Sequence, residues 1–405
     1  MTSALTEPLE GTVAEPAALD RPVPRQGPAV PAEAGRRRAP LSELSRRRDA
    51  LAYVTPNWFA SVMGTGIVAI AAITLPVQVP GQRVFARLVW VLAATMLVVL
   101  VGVTAAHWIR HRDVARSHLS HPAMSHFYGA FPMALLTVGT GSLLVGKDLL
   151  GTALATDVDW VLFTAGTITG LLTAIVVPYA AFTRHDYTPE SAFGGWLMPI
   201  VPPMVSATAG ALLVPTLQPG QLRETLLLAC YAMFGLSLLT SVIVITLIWN
   251  RLVQHSTGDA AAVPTLWIVL GPLGQSISAA GLLGVAAQQG EPHVYAAGLQ
   301  AFGLLYGVVI WGFAALWFIL AAAITVRTIR RKMPFSLTWW SFTFPVGTCV
   351  TGTTGLFAHT GLDVFRFGAA GLYVFLLLAC AFVFVRTCHG AYTGHLLRAP
   401  ALTAA

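Results

Sequence analysis

The chain has 405 residues, 56% of them apolar and only 10% charged. Soluble domains carry about 25% charged residues, so a soluble enzyme or a nucleic-acid binder is excluded and a polytopic membrane protein is expected. The formal net charge of +7 does not alter this, because the basic residues sit between apolar segments.

Residues 1–50 are rich in Pro, Ala, Glu and Arg with few large apolar side chains. Such a segment cannot bury enough surface to fold and is expected to be a disordered tail. It lacks the apolar core of a cleavable signal peptide. The runs Arg36–Arg38 and Arg46–Arg48 precede the first apolar segment and place that end in the cytoplasm.

A membrane span needs about 20 mostly apolar residues. Ten segments qualify, near 57–76, 84–109, 126–146, 159–182, 195–217, 222–250, 264–286, 294–325, 338–359 and 365–388. The expected fold is therefore an all-α polytopic membrane protein over 51–395, followed by a short cytoplasmic tail at 396–405. With the N-terminus inside, the internal loops hold Arg110, Arg112, Arg116, Arg184, Arg251, Arg327, Arg330, Arg331 and Lys332, and then Arg386 and Arg398. The external side keeps Arg83, Arg87, Lys147, Arg223 and Arg366. That bias fits ten spans with both termini cytoplasmic.

The odd-numbered spans differ from the even ones. MGTGIV (Met63 to Val68), FYGAFPMALLTVGTG (Phe127 to Gly141), WLMPIVPPMVSATAG (Trp196 to Gly210), LGPLGQSISAAGLLG (Leu270 to Gly284) and FTFPVGTCVTGTTG (Phe342 to Gly355) carry Gly, Pro, Ser and Thr in their interiors. The spans between them are smooth and rich in Leu and Val. Broken backbone at membrane depth is tolerated only where protein buries it or it lines a wet cavity. The pattern predicts five kinked helices around a pathway, backed by five smooth ones.

Candidate lining residues are Gly64, Thr65, Gly66, Pro132, Thr137, Pro199, Pro203, Ser206, Pro272, Gln275, Ser276, Pro345 and Thr348. Each has a plainer reading. The glycines permit close helix packing, the prolines are kinks, and the hydroxyls bond back to their own helices. Phe344, just before Pro345, reads either as a packed aromatic or as a hydrophobic plug in a narrow bore. The odd spans hold no Asp or Glu; Asp148, Asp157 and Asp159 fall at ends or in loops. Cation routes and proton relays usually need a buried carboxylate, so a neutral lining favours anions or neutral solutes. His126 and His359 are candidates for pH sensing. No metal site, cofactor or nucleophile motif is expected, and the four cysteines, Cys230, Cys349, Cys380 and Cys388, read as apolar residues.

TPNWFASVMGTGIVA (Thr55 to Ala69), HPAMSHFYGAFPMALLTVGTG (His121 to Gly141) and WWSFTFPVGT (Trp339 to Thr348) resemble the tellurite-resistance/dicarboxylate transporter family. This family includes the bacterial protein TehA, yeast malate permeases, fungal sulfite exporters and the slow-type anion channels of plant guard cells. The resemblance covers about residues 52–395. It implies ten helices as five hairpins around a quasi-fivefold central pore, a trimer of protomers, and Phe344 as the occluding residue. PVGTCVTGTTG is closer to the sulfite and malate branch than to the plant channels. The expected function is passage of small anions (sulfite, chloride, nitrate, tellurite or four-carbon dicarboxylates) across the cell membrane. The alternatives are a proton-coupled carrier with alternating access and, from another class, a membrane-embedded redox or metal enzyme using the histidines.

Overall fold

A computed structural model of the chain describes residues 40–44, 50–289 and 295–398. Most of the expected N-terminal tail, with Arg36–Arg38 and Arg46–Arg48, lies outside the described residues, as do residues 399–405. Every regular element described is helical. In chain order the α-helices are α1 (Phe59–Thr74), α2 (Gln82–Arg110), α3 (Arg112–Ser120), α4 (Ala130–Gly141), α5 (Lys147–Leu150), α6 (Thr152–Arg184), α7 (Pro202–Leu213), α8 (Gln221–His255), α9 (Leu270–Gln288), α10 (Ala296–Ile329), α11 (Phe344–Thr360) and α12 (Asp363–Thr393).

Eight helical runs among the described residues are long and apolar enough to cross a membrane, and the protein is a multi-span membrane protein. Ten such segments were expected. The remaining two, 195–217 and 338–359, hold α-helices of 12 and 17 residues. Proline explains the first break. Pro199, Pro202 and Pro203 supply no N–H and disfavour helix in the residue before them, so residues 198–201 form turns and α7 starts at Pro202. In the second segment a 3₁₀ stretch, Leu337–Phe342, ends at Thr343, whose φ of -105° and ψ of -78° separate it from α11.

Burial divides the helices. The most apolar windows of the helical runs Pro56–Thr74, which holds α1, Met124–Leu150, the α4 run, and Val263–Gln288, which holds α9, are 89%, 78% and 83% buried, against 17–33% for α2, α6, α8, α10 and α12. α7 and α11 are also buried along most of their length. Contacts run from α1 to α4, α4 to α7, α7 to α9, α9 to α11 and α11 back to α1, closing a ring. Each outer helix packs on two neighbours of that ring: α2 on α1 and α4, α6 on α4 and α7, α8 on α7 and α9, α10 on α9 and α11, and α12 on α11 and α1. The outer helices bury one narrow stripe. In α6 it is Ala155, Asp159, Phe163, Gly166 and Gly170, the spacing of one helical face, while Val161, Ile168 and Ile175 are exposed.

Glycine sets how closely α9 and α11 approach. A side chain on Gly274 would collide with the backbone nitrogen of Cys349, and one on Gly352 would lie 2.9 Å from the Gly274 carbonyl oxygen. The described part of the N-terminal segment is held at the end of α12. The Leu41 and Glu43 N–H groups donate to the Tyr392 and Thr393 carbonyls at 2.8 and 3.0 Å, and Arg398 pairs with the Glu43 carboxylate at 2.9 Å.

Candidate functional site

The ring encloses a cavity of about 280 Å³ to which all five inner helices contribute. α1 supplies Ile67, Ile70 and Thr74, and the α4 run supplies Thr137, Thr140 and Leu144. α7 supplies Val205 and Thr208, α9 supplies Gln275 and Ser278, and α11 supplies Phe344, Thr351, Thr354 and His359. Most of these lie in the C-terminal halves of their helices. A second void of about 20 Å³ lies among the N-terminal ends and is lined by Ala60, Met63, Met133, Val201, Pro272 and Pro345 among others. Among the described residues Phe344 alone lines both.

The sequence around Phe344 fixes its place. Trp340 is fully buried, and its indole N–H donates to Thr387 Oγ1 of α12 at 3.0 Å. The Thr343 hydroxyl donates back to the Trp340 carbonyl at 2.6 Å. A side chain at Gly64 of α1 would collide with Thr343 Oγ1, so glycine is required for α1 to pass this turn. Phe342 packs edge-on against Trp267 at 5.3 Å. Phe344, the first residue of α11, is thereby 3% exposed and turned toward the ring's interior.

Three residues expected on the pathway, Thr137, Gln275 and Phe344, line the larger cavity, as does His359, a candidate for pH sensing, and Phe344, Pro272 and Pro345 line the smaller one. The others lie between helices. Gly66 packs on Thr137, where a Cβ would approach its methyl to 2.8 Å. Thr65 donates to the Ser61 carbonyl at 2.7 Å. Pro132 packs against Gly166 and Gly170 of α6. The Pro199 carbonyl faces Thr173 of α6 at 3.4 Å, and Pro203 is buried in the first turn of α7. Ser206 accepts from Thr167 of α6 at 3.0 Å. Ser276 donates to Leu273 at 2.8 Å, and Thr348 donates to Pro345 at 2.7 Å beside α9. His126 is buried away from both voids, its ring stacked on Trp196 at 6.1 Å.

Among the described residues no charged side chain lines either void. Several hydroxyls at the larger one spend their protons on their own helices: Thr137 on Met133 at 2.7 Å, Thr208 on Met204 at 3.2 Å and Thr351 on Thr348 at 3.0 Å. The free donors are therefore few. Gln275 and Thr140 make no hydrogen bond within the described residues, and the Thr354 hydroxyl is buried without a partner. His359 directs Nδ1 to the Gly355 carbonyl at 2.8 Å, which puts the proton there and leaves Nε2 free. This lining can strip part of an anion's hydration and return a few directed hydrogen bonds, with no fixed charge to trap it.

Sequence reasoning missed Thr74, Thr140, Thr208 and Thr354. The available signal was spacing: Thr140 stands three residues after Thr137, and Thr351, Thr354 and Ala358 follow Phe344 on one face. It also misplaced Asp159. α6 begins at Thr152, so Asp159 lies two turns inside it, fully buried and in the buried stripe. Outside the ring, His107 and His118 stack at 5.6 Å where α2 meets α3. Burial, then His107 and His121, push the His118 imidazole below its usual value. Among the described residues no group of three or more His, Cys, Asp or Glu is placed to hold a metal.

A profile of the voltage-dependent anion channel family, SLAC1, matches residues 53–388. The chain belongs to the SLAC1 family. Among relatives from that wider group, a sulfite efflux pump of Trichophyton rubrum is 28% identical over 352 residues, covering 85% of this chain and 92% of the relative. A transporter of Methanocaldococcus jannaschii with no assigned substrate is 25% identical, covering 88% of this chain and 99% of its own. A malic acid transport protein of Schizosaccharomyces pombe is 22% identical over 76% of this chain and 71% of its own. The match takes in α1 through most of α12, and with them both voids and Phe344. As a SLAC1-family member the protein is an anion transporter.

Proposed function

We propose that this SLAC1-family member passes small anions through the centre of the ring, with Phe344 closing the route between the two voids. In this reading the chain forms ten transmembrane helices as five hairpins around a quasi-fivefold pore in the cell membrane, with both termini cytoplasmic. α7 and α11 then cross the bilayer together with the 3₁₀ and turn segments that precede them, because backbone irregularity is tolerable where protein surrounds it. The observation that carries the reading is the position of Phe344, the one side chain among the described residues common to both voids, in a lining where none of those residues bears a charge. The N-terminal ends of α7 and α11 lie beside the smaller void, which Val201, Phe344 and Pro345 help to line, and their helix dipoles favour an anion nearby. Sulfite and four-carbon dicarboxylates are the first substrates to try, because relatives are named for sulfite and malate. Assembly as a trimer is part of the proposal.

A carrier with alternating access is the second reading. The unequal voids, about 280 and 20 Å³, favour it, since a carrier shows access from one side at a time. Current recordings on the purified protein in planar bilayers, with sulfite, malate, chloride and nitrate in turn, separate the two. A channel gives unitary steps and reversal potentials that follow the anion gradient. Saturable flux without unitary steps would select the carrier, and flux that follows a cation gradient alone would refute both.

A further inference from the structure

One buried ionisable group has no place in the route described above. Asp159 is 0% exposed, and both of its carboxyl oxygens lack a hydrogen-bond partner. It faces α4 at Gly139, where an added Cβ would stand 2.6 Å from Oδ1. Gly139 adjoins Thr140 and lies two residues from Thr137, and both of those threonines line the larger cavity. The carboxyl thus presses on the back of the cavity wall, about one helix diameter, ~10 Å, from the route. Glycine at 139 is what admits it.

Among the described residues its neighbours offer no counter-charge. α4 and α7 carry no charged residue. Lys147 and Asp148 of α5 lie toward the exposed end, and Asp148 is engaged by Arg83 and Arg87 at 2.7 and 2.8 Å. Asp157, on α6 itself, is exposed, and His126 sits at the opposite end of the α4 run. No cationic group among the described residues pairs with Asp159. Directly after Gly141 the helix makes a π turn over Ser142–Gly146, a distortion often found at functional sites. Ser142 ties it to α6 by donating to the Ala155 carbonyl at 2.8 Å, one turn before Asp159. A carboxylate this deep and unpaired must find a cation or hold a proton, and only the proton is at hand.

We propose that Asp159 is a proton-binding site whose occupancy sets how readily anions enter the cavity on the other side of α4. With the proton bound, the wall is neutral and the anion meets only dipoles. With the proton released to the bath, a negative charge stands ~10 Å from the anion, and at an effective dielectric constant of about 20 the repulsion lowers occupancy roughly tenfold. Proton and anion then favour each other's binding by the same factor. The proposal rests on the anion-transport reading and deepens it.

The test is anion flux into proteoliposomes between about pH 5 and about pH 9, the range in which buried acids titrate, for the wild type and Asp159→Asn. The asparagine keeps the shape and cannot ionise. The expected result is a wild-type flux that falls roughly tenfold as pH rises, and a variant flux that stays at the wild type's low-pH level throughout. A variant that keeps the wild-type pH profile, or a wild type with no pH dependence, would overturn the proposal. Infrared difference spectra of the wild type between the two pH extremes give a readout independent of transport. A protonated-carboxyl carbonyl band should be lost at high pH and be missing from Asp159→Asn, and its presence in the variant would also overturn the assignment. If the protein moved no anion, this spectrum would still report the proton, so failure of the transport reading is distinguishable from failure of the proton site.

Discussion

In the proposed route Gln275 and Phe344 do different work. Gln275 is the most polar side chain at the larger cavity and makes no bond within the described residues, so its amide is free to donate to a passing anion. A hydrogen bond to a charged group contributes about 1.5–3 kcal/mol. Gln275→Leu should therefore lower anion flux at subsaturating concentration by about tenfold or more while leaving the melting temperature near the wild type's. His118 makes a prediction of opposite character. Its folded value is depressed by burial and by His107 and His121. As pH falls through the ordinary imidazole value of about 6.5, the unfolded chain takes up a proton that the folded one resists, so stability falls with pH. The detergent-solubilised protein should melt lower at about pH 5.5 than at about pH 7.5, and His118→Gln should narrow that gap. The place of Phe344 at the start of a bent helix was legible in the sequence from the proline that follows it. Thr140 and Thr354 were not, because a threonine that lines a cavity and one that bonds back to its helix look alike until neighbouring helices are in place. Ser206 and Thr348 show the same ambiguity from the other side: both were candidates on composition and both lie between helices.

At the scale of the element, the inner helices owe their placement to small residues. α9 and α11 meet backbone to backbone at Gly274 and Gly352. Because the two nearest atoms that a Gly274 side chain would meet belong to the Cys349 and Thr348 backbone, they cannot move aside cheaply. Gly274→Val should destabilise the protein by about 1–3 kcal/mol or more, the usual range for an overpacked site, read as a lowered melting temperature and reduced recovery on size exclusion. The alternation of interrupted and smooth apolar segments made the inner and outer helices legible, because only protein or water can surround a broken backbone. Helix ends were less so. Thr152 to Val158 continue α6 upstream of the apolar run, and that shift carries Asp159 from a presumed end into the buried stripe. Apolar content marks where a helix meets lipid, and an acid facing another helix escapes that signal.

Over the whole molecule, the ring of α1, α4, α7, α9 and α11 isolates an uncharged interior from an outer layer that is apolar on its exposed face. The low charge and the five interrupted segments made this division readable before any coordinates. The unequal voids were not readable, since they depend on where Phe344 comes to rest among five helix ends. In the proposed route one aromatic side chain, Phe344, interrupts the ring along its axis. Unitary conductance of Phe344→Ala in planar bilayers, compared with the wild type under the same anion gradient, tests it most directly. A clear rise in anion conductance with anion selectivity retained is the expected result. A folded Phe344→Ala protein whose conductance equals the wild type's would contradict it.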